Sequence, residues 1–352
     1  MSKIIERLKE LDLNTATDEE IYDLLSKIET FPLFTRTFHK GEIIVRSRPN
    51  DKKEVFNCKS DLIYPPNPTS EYGRANIKNT ISFYGSLIGN DYYSFLDNQK
   101  DLIDAIVPTI TEQRFFKVSN ENSIYKITYG VWEVVNSFNV AVLVQNNKYR
   151  GKNNYIDAII RDYDSYLLTV DKDMQKHGRI VTEYLCDEFF KKVPYEQDQQ
   201  YRISAYFTER VYDMSFVGLI YPSTKMEGSG LNIVIKPEIV DNNLKLKRAG
   251  ECTVYRYNGI DVSHDKVADN INADGSFSFD KEGNGHGHLL CLRRLGANNY
   301  FNLLQTELNR NNIAAFTVVD KFKKIFNIND DLTKEFFQNI LDTVDIEKII
   351  MN

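Results

Sequence analysis

Cysteine is scarce in this 352-residue chain. Cys58, Cys186, Cys252 and Cys291 stand far apart, and no two form a C-x-x-C pair. That spacing argues against a zinc ribbon or a disulfide framework and suits free thiols in a reducing compartment. Histidine is also thin: of five, only His286 and His288 lie close together, on a glycine-rich stretch with too few further ligands for a metal site. Long apolar runs are missing. The longest, Phe138 to Val144, falls far short of the roughly 18–20 residues that span a bilayer, so no membrane partner is expected. Met1 to Leu13 carries charge in every turn and has no apolar core of a secretory signal. The expected location is therefore cytoplasmic, either in the producing cell or after delivery into a target cytosol. Positive charge is in deficit, with a net charge of −6, and basic stretches such as Lys321 to Lys324 are short. No broad nucleic-acid face is expected from such a balance. The chain also lacks G-x-S-x-G, H-E-x-x-H, Walker and G-x-G-x-x-G motifs. Acyl hydrolysis, zincin chemistry and P-loop nucleotide binding accordingly have no support.

What is present suffices for a folded core: 42% of residues are apolar and 27% charged. Ile4, Ile5, Leu8 and Leu11 share one helical face. A second helix follows Thr17-Asp18-Glu19-Glu20, a capping box, with Ile21, Leu24, Leu25 and Ile28 as its stripe. From about Lys40 the pattern turns to strands, at 41–48, 80–84, 124–129, 132–135, 139–144, 217–221 and 231–235. The segment Tyr64-Pro-Pro-Asn-Pro68 cannot be helical. Helices are expected over 173–192 and 204–213. Strands and helices without regular βαβ alternation indicate an α+β fold. Asp261 to Gly287, rich in Asp, Asn, Gly and Ser, reads as a long loop or irregular hairpin. Helical patterns return at 300–310, 316–326 and 332–344. This divides the chain into an N-terminal helical extension (1–40), a core (41–250), a loop-rich insert (251–288) and a C-terminal helical region (289–352).

Several segments carry a joint pattern. They are Arg46-Ser-Arg48, Tyr64-Pro-Pro66, Gly73-Arg74-Ala-Asn76 and Ile81-Ser-Phe-Tyr84-Gly-Ser86. Gly130-Val-Trp-Glu133 follows, and then Tyr221-Pro-Ser223 with Gly230-Leu-Asn232 after it. In this order the chain, over roughly residues 41–250, resembles the RES-domain family, named for its Arg, Glu and Ser residues. The resemblance implies an ADP-ribosyltransferase-like mixed sheet with helical extensions at both ends, NAD as substrate, and a toxin held in check by an antitoxin protein. By the same resemblance Arg46 or Arg48 matches the family's first arginine and Arg74 the second. Tyr84 matches the aromatic position at the nicotinamide end, Ser223 the serine beside Tyr221, and Asn232 the polar residue of the next strand. Asn76 completes the Arg74 block. The glutamate departs from the pattern: Pro108-Thr-Ile-Thr-Glu112 is the closest match to the family segment, but an insert separates it from Tyr84.

The chemistry explains the residue types. Nicotinamide departs from NAD as a neutral molecule, so cleavage of its ribose bond needs no general acid. It needs a clamp on the pyrophosphate, which arginine forks supply, and a carboxylate near the developing oxocarbenium charge. The expected catalytic set is Arg74, Tyr84, Glu112 and Ser223, with Arg46, Arg48, Asn76, Tyr221 and Asn232 binding NAD, all converging on one cleft. Removal of Arg74 is expected to leave stability little changed. The leading activity is an NAD glycohydrolase. The alternatives are an ADP-ribosyltransferase acting on a macromolecule, an NAD phosphorylase, and an inactive scaffold serving as a binding module. Restraint is expected from a separate antitoxin chain; the internal alternative is that 261–287 and the helix 332–344 cover the cleft, and ordinary packing on the core is the first reading of that helix.

Overall fold

The computed structural model describes residues 2–28, 33–50, 55–87, 105–106, 123–152, 154–194, 196–224, 230–256 and 260–283. The expectations for Glu112, the His286/His288 pair, Cys291 and the helices after 289 lie outside these residues. What is described is an α+β fold built on one ten-stranded sheet. Its strands are β1 (Leu33–Phe38), β2 (Ile43–Pro49), β3 (Phe83–Leu87), β4 (Ser123–Val134), β5 (Phe138–Leu143), β6 (Gly218–Pro222), β7 (Leu231–Ile235), β8 (Leu244–Arg256), β9 (Ile260–Ala268) and β10 (Lys281–Glu282). They lie in the order β1-β5-β6-β7-β3-β2-β4-β8-β9-β10. Among these pairings only β5 and β6 run parallel.

Helices cover the sheet on both sides because most strands are apolar on both faces. On one side α1 (Ser2–Glu10), α2 (Asp18–Ser26), α5 (Lys172–Phe190) and α6 (Arg202–Asp213) pack on Ala141, Leu143, Leu219, Tyr221 and Val234. On the other, α3 (Lys59–Leu62), α4 (Asn154–Leu167) and α7 (Pro237–Asn243) meet Val140, Val142, Ile220, Ile233 and Ile235. The alternation of these two sets along β5, β6 and β7 is the period-two signature of a strand.

Several expectations hold in register. Thr17 caps α2 by accepting from the Glu20 N–H at 3.1 Å. The helices over 173–192 and 204–213 are α5 and α6, and β7 falls on 231–235. The separate runs at 124–129 and 132–135 are one strand, β4, irregular in its pairing between Val131 and Trp132. The run at 80–84 begins only at Phe83, since Asn79 sits in the left-handed region (φ 60°) and its N–H bonds Thr69 O at 2.7 Å.

Three features go beyond the sequence-based reading. The helices of the N-terminal stretch are packed in, with Ile5, Leu8, Ile21 and Leu25 buried in the core, and the same stretch also supplies β1, an edge strand of the sheet. Among the described residues, regular structure continues past 250, because β8 and β9 form a long antiparallel ribbon paired on β4. Helix α4 lies where Asn, Asp and Tyr dilute the apolar stripe, yet Ile156, Ile160, Tyr163 and Leu167 recur at helical spacing and are buried.

The N-terminal helices are tied to α6 by a buried arginine. Arg202 Nη1 donates to Leu13 O at 2.8 Å and Ala16 O at 2.7 Å, and Nε donates to Asp18 Oδ1 at 3.0 Å. Tyr72 Oη donates to the same carboxylate at 2.7 Å. Burial opposes ionisation of Asp18, but the hydrogen bonds from Tyr72, Arg202 and Tyr206, with the Arg202 charge, outweigh it and hold the carboxyl below its usual value. Arg202→Ala should cost about 3 kcal/mol by urea unfolding at neutral pH, because two carbonyls and a carboxylate lose their donor. A depressed carboxyl pKa gives stability that is present above about pH 4 and lost as pH falls through the folded value. The gap between wild type and variant should therefore shrink as pH falls below about 4; a gap constant with pH would detach Asp18 from the effect.

Candidate functional site

The Gly73–Asn76 turn closes on itself, with Gly73 N–H bonding Asn76 O at 3.0 Å. Tyr84, at the start of β3, reads this turn from below. Its hydroxyl donates to Asn76 Oδ1 at 2.5 Å and accepts from the Ala75 N–H at 3.1 Å. Asn76 Nδ2 donates onward to Thr69 Oγ1 and Ile77 O. Glycine is required at 73, since a Cβ there would lie 2.1 Å from Asn76 Oδ1 and 2.9 Å from the Tyr84 hydroxyl. Arg74 points away from this network towards the end of α5. Its guanidinium, 3% exposed, donates to Phe189 O, to Lys191 O at 3.0 Å and to the Tyr201 hydroxyl at 3.3 Å, and lies 4.9 Å from the Tyr201 ring centre. These are carbonyls that a helix C-terminus leaves without intrahelical donors, and a cation there also meets the negative end of the helix dipole.

Strand register sets which side chains share a face. Asn232 lies opposite Ser86 on β3 and opposite Tyr221 on β6; Tyr84 lies opposite Val234, and Val234 opposite Leu219. Tyr84, Ser86, Asn232, Tyr221 and, two residues on, Ser223 therefore face the α1, α2, α5 and α6 side. Tyr221 packs on Phe189 of α5, ring centres 5.2 Å apart. Arg46 and Arg48 face the opposite side. Arg46 donates to Ile63 O at 3.0 Å and Tyr84 O at 2.8 Å, and Arg48 to Asp61 O at 2.9 Å. Burial, and then the neighbouring Arg48, bring the Arg46 guanidinium down to about 10, still protonated at neutral pH. Arg46 bridges the place where β2 and β3, paired only at Val45 and Ser86, part company.

Six of the expected residues (Arg74, Asn76, Tyr84, Tyr221, Ser223 and Asn232) thus lie on one side of the sheet, and Arg46 and Arg48 on the other. Tyr84 and Ser223 are two strands apart and four residues out of register, about 16 Å between Cα atoms by sheet geometry. Such a spread suits an elongated ligand rather than one reacting atom. On this side, buried side chains with polar atoms lacking a hydrogen-bond partner among the described residues include Ser223 Oγ and both amide atoms of Asn232 and of Gln145. Sequence reasoning missed Gln145. Its one signal is that it ends the apolar run of β5.

A second polar group is buried at the far end of the sheet. Lys126 Nζ lies 3.2 Å from Glu251 Oε1, Thr253 Oγ1 donates to Asp265 Oδ2 at 2.6 Å, and the Tyr129 hydroxyl meets His264 Nε2 at 2.8 Å. Burial raises Asp265 to about 6 against the hydrogen bonds from Thr253 and Ser263. A carboxyl ionising there has the right pKa for proton transfer, but its neighbours already partner one another. Among the described residues no group of three or more His, Cys, Asp or Glu could hold a metal ion, and no helix is long and apolar enough to cross a membrane. No protein-family model matches the chain, and no curated protein matches its sequence.

Two sets of variants follow from this geometry. Ser223→Ala and Asn232→Leu remove buried polar atoms that have no partner among the described residues, so thermal unfolding should stay level or rise. Arg74→Ala strands the Phe189 and Lys191 carbonyls and should cost about 3 kcal/mol, contrary to the small change expected from a surface clamp. A fall of Tm for Asn232→Leu matching that of Arg74→Ala would give Asn232 a structural role instead. Asp265 gives a pH test. Its folded pKa lies above the unfolded value, so the folded state holds the extra proton and stability falls as pH rises from about 4 to about 6. Asp265→Asn should flatten that slope in urea titrations, and an unaltered slope would place its origin elsewhere.

Proposed function

We propose that the chain cleaves NAD at the nicotinamide–ribose bond, with the α5/α6 side of the sheet as its binding surface. The observation that carries this reading is the pair of buried polar side chains without partners among the described residues, Asn232 and Ser223, on the same side of the sheet as Arg74 and the Asn76–Tyr84 network. Buried polar groups without partners cost stability, and functional sites are where such a cost is retained. In this reading Asn232 and Ser223 supply neutral hydrogen bonds to the carboxamide and ribose hydroxyls. Tyr84, its hydroxyl fixed by Asn76 and the Ala75 N–H, offers a ring of fixed orientation to the part of the dinucleotide remote from the carboxamide, not to the nicotinamide end that the resemblance implied. Glu112 supplies the carboxylate that steadies the developing positive charge. Arg74 is a positioning residue that locks the turn to the end of α5. Water, a macromolecule or phosphate is the acceptor, and an antitoxin protein restrains the activity in the cytosol.

One observation favours a second reading, a non-enzymatic scaffold. The Arg74 guanidinium, which the resemblance assigns to the pyrophosphate, is engaged with the end of α5. Incubating the full chain with NAD, alone, with phosphate and with cell extract, separates the two. Nicotinamide should appear together with ADP-ribose, ADP-ribose phosphate or a labelled acceptor. Asn232→Leu should slow release roughly 100-fold, equivalent to about 2.7 kcal/mol of barrier, with unfolding unchanged. Absence of nicotinamide under all three conditions would remove the enzymatic reading and leave the scaffold.

A further inference from the structure

Gln145 belongs to no part of the pattern above, yet it is among the most isolated polar side chains of the fold. It is 3% exposed, and neither Nε2 nor Oε1 has a partner among the described residues. Its position is fixed from both sides. The preceding Val144 packs with Tyr163 and Leu167 of α4, so alternation turns Gln145 to the α5 side, where the next N–H, that of Asn146, meets Cys186 Sγ at 3.4 Å.

Strands β5 and β6 run parallel and pair at Ala141–Leu219 and Val142–Ile220, after which the ladder ends. Counted three residues past the last pair, Gln145 and Ser223 hold corresponding positions on the two chain segments. Ser223 is joined through its N–H to Gly230 O at 2.9 Å, which brings Asn232 in diagonally from β7. The three orphaned side chains therefore come from neighbouring chain segments, at and just past the ends of β5 and β6 and on β7, and share the α5/α6 side of the sheet.

We infer that Gln145, with Asn232 and Ser223, forms a subsite that selects an uncharged carboxamide over the corresponding carboxylate. The set is neutral and offers donors and acceptors side by side: an amide N–H₂ and C=O from each of Gln145 and Asn232, and a hydroxyl from Ser223. A primary carboxamide satisfies Gln145 Oε1 with its N–H and Gln145 Nε2 with its carbonyl. A carboxylate offers acceptors only, leaves Oε1 opposed by an oxygen and brings a charge into a buried, uncharged setting. The inference rests on the NAD reading for its ligand class, and it adds that NAD is preferred over its nicotinate form.

The test is calorimetric titration of the full chain with nicotinamide, benzamide, nicotinate and benzoate. The amides should bind at least about 100-fold more tightly than the acids. Gln145→Leu, of similar volume and losing only unpartnered atoms, should fold with an unchanged or raised Tm and abolish the preference; Gln145→Met is the second variant should leucine disturb packing. Equal binding of amide and acid, no amide binding, or a preference that survives both variants would overturn the inference. Turnover of NAD and of its nicotinate form separates the two claims. Equal cleavage of both would sink the carboxamide subsite with the activity intact. Gln145-dependent amide binding without any cleavage would sink the activity with the subsite intact.

Discussion

The placement of β7 between β6 and β3 governs the rest of the molecule. All five of its residues are buried, and Leu231, Ile233 and Ile235 enter one core while Val234 enters the other. A slip of one residue would exchange these sets, driving Asn232 into the α4 side and an isoleucine into the α5 side. With hydrophobic demand on both faces, register is fixed, and with it the line Ser86–Asn232–Tyr221 and the approach of Ser223. Asn232 is the one polar residue of the strand, and its side-chain amide has no hydrogen-bond partner among the described residues. The strand positions a group that folding alone would replace.

Three buried arginines do related work around that strand. Arg46 holds carbonyls where β2 and β3 separate, Arg74 holds the last carbonyls of α5, and Arg202 holds the connection between α1 and α2. In each case a rigid fork of donors takes up backbone oxygens that helix ends and strand splays leave open. The charge–carbonyl contacts fix the helices over the sheet, while the orphaned amides and hydroxyl are left neutral and unspent.

Local pattern made β7, α5, α6 and the Thr17 cap legible in the sequence, because each is specified within its own few residues. Elements whose signal is diluted were not legible: α4 hides among Asn and Asp, and the β8–β9 ribbon carries enough Ser, Asp and Lys to read as loop. For the candidate site, residue types were legible and directions were not. Arg46 and Arg48 take the opposite side from Tyr84 because β2 presents Ile44 to the α4-side core, a fact of non-local pairing that no spacing reveals. Gln145 at the end of an apolar strand looks like the start of a turn. Only the parallel register with β6 shows that it stays buried.

The central claim is that the α5/α6 side of the sheet holds neutral polar groups awaiting a ligand. Side-chain amide resonances of Asn232 and Gln145, followed by NMR as NAD is added to the full chain, address it most directly. Both pairs of N–H₂ signals should shift and gain protection from solvent exchange, while the side chain of Asn139, on the far part of β5, stays unmoved. Signals of Asn232 and Gln145 unaffected by saturating NAD would contradict the account.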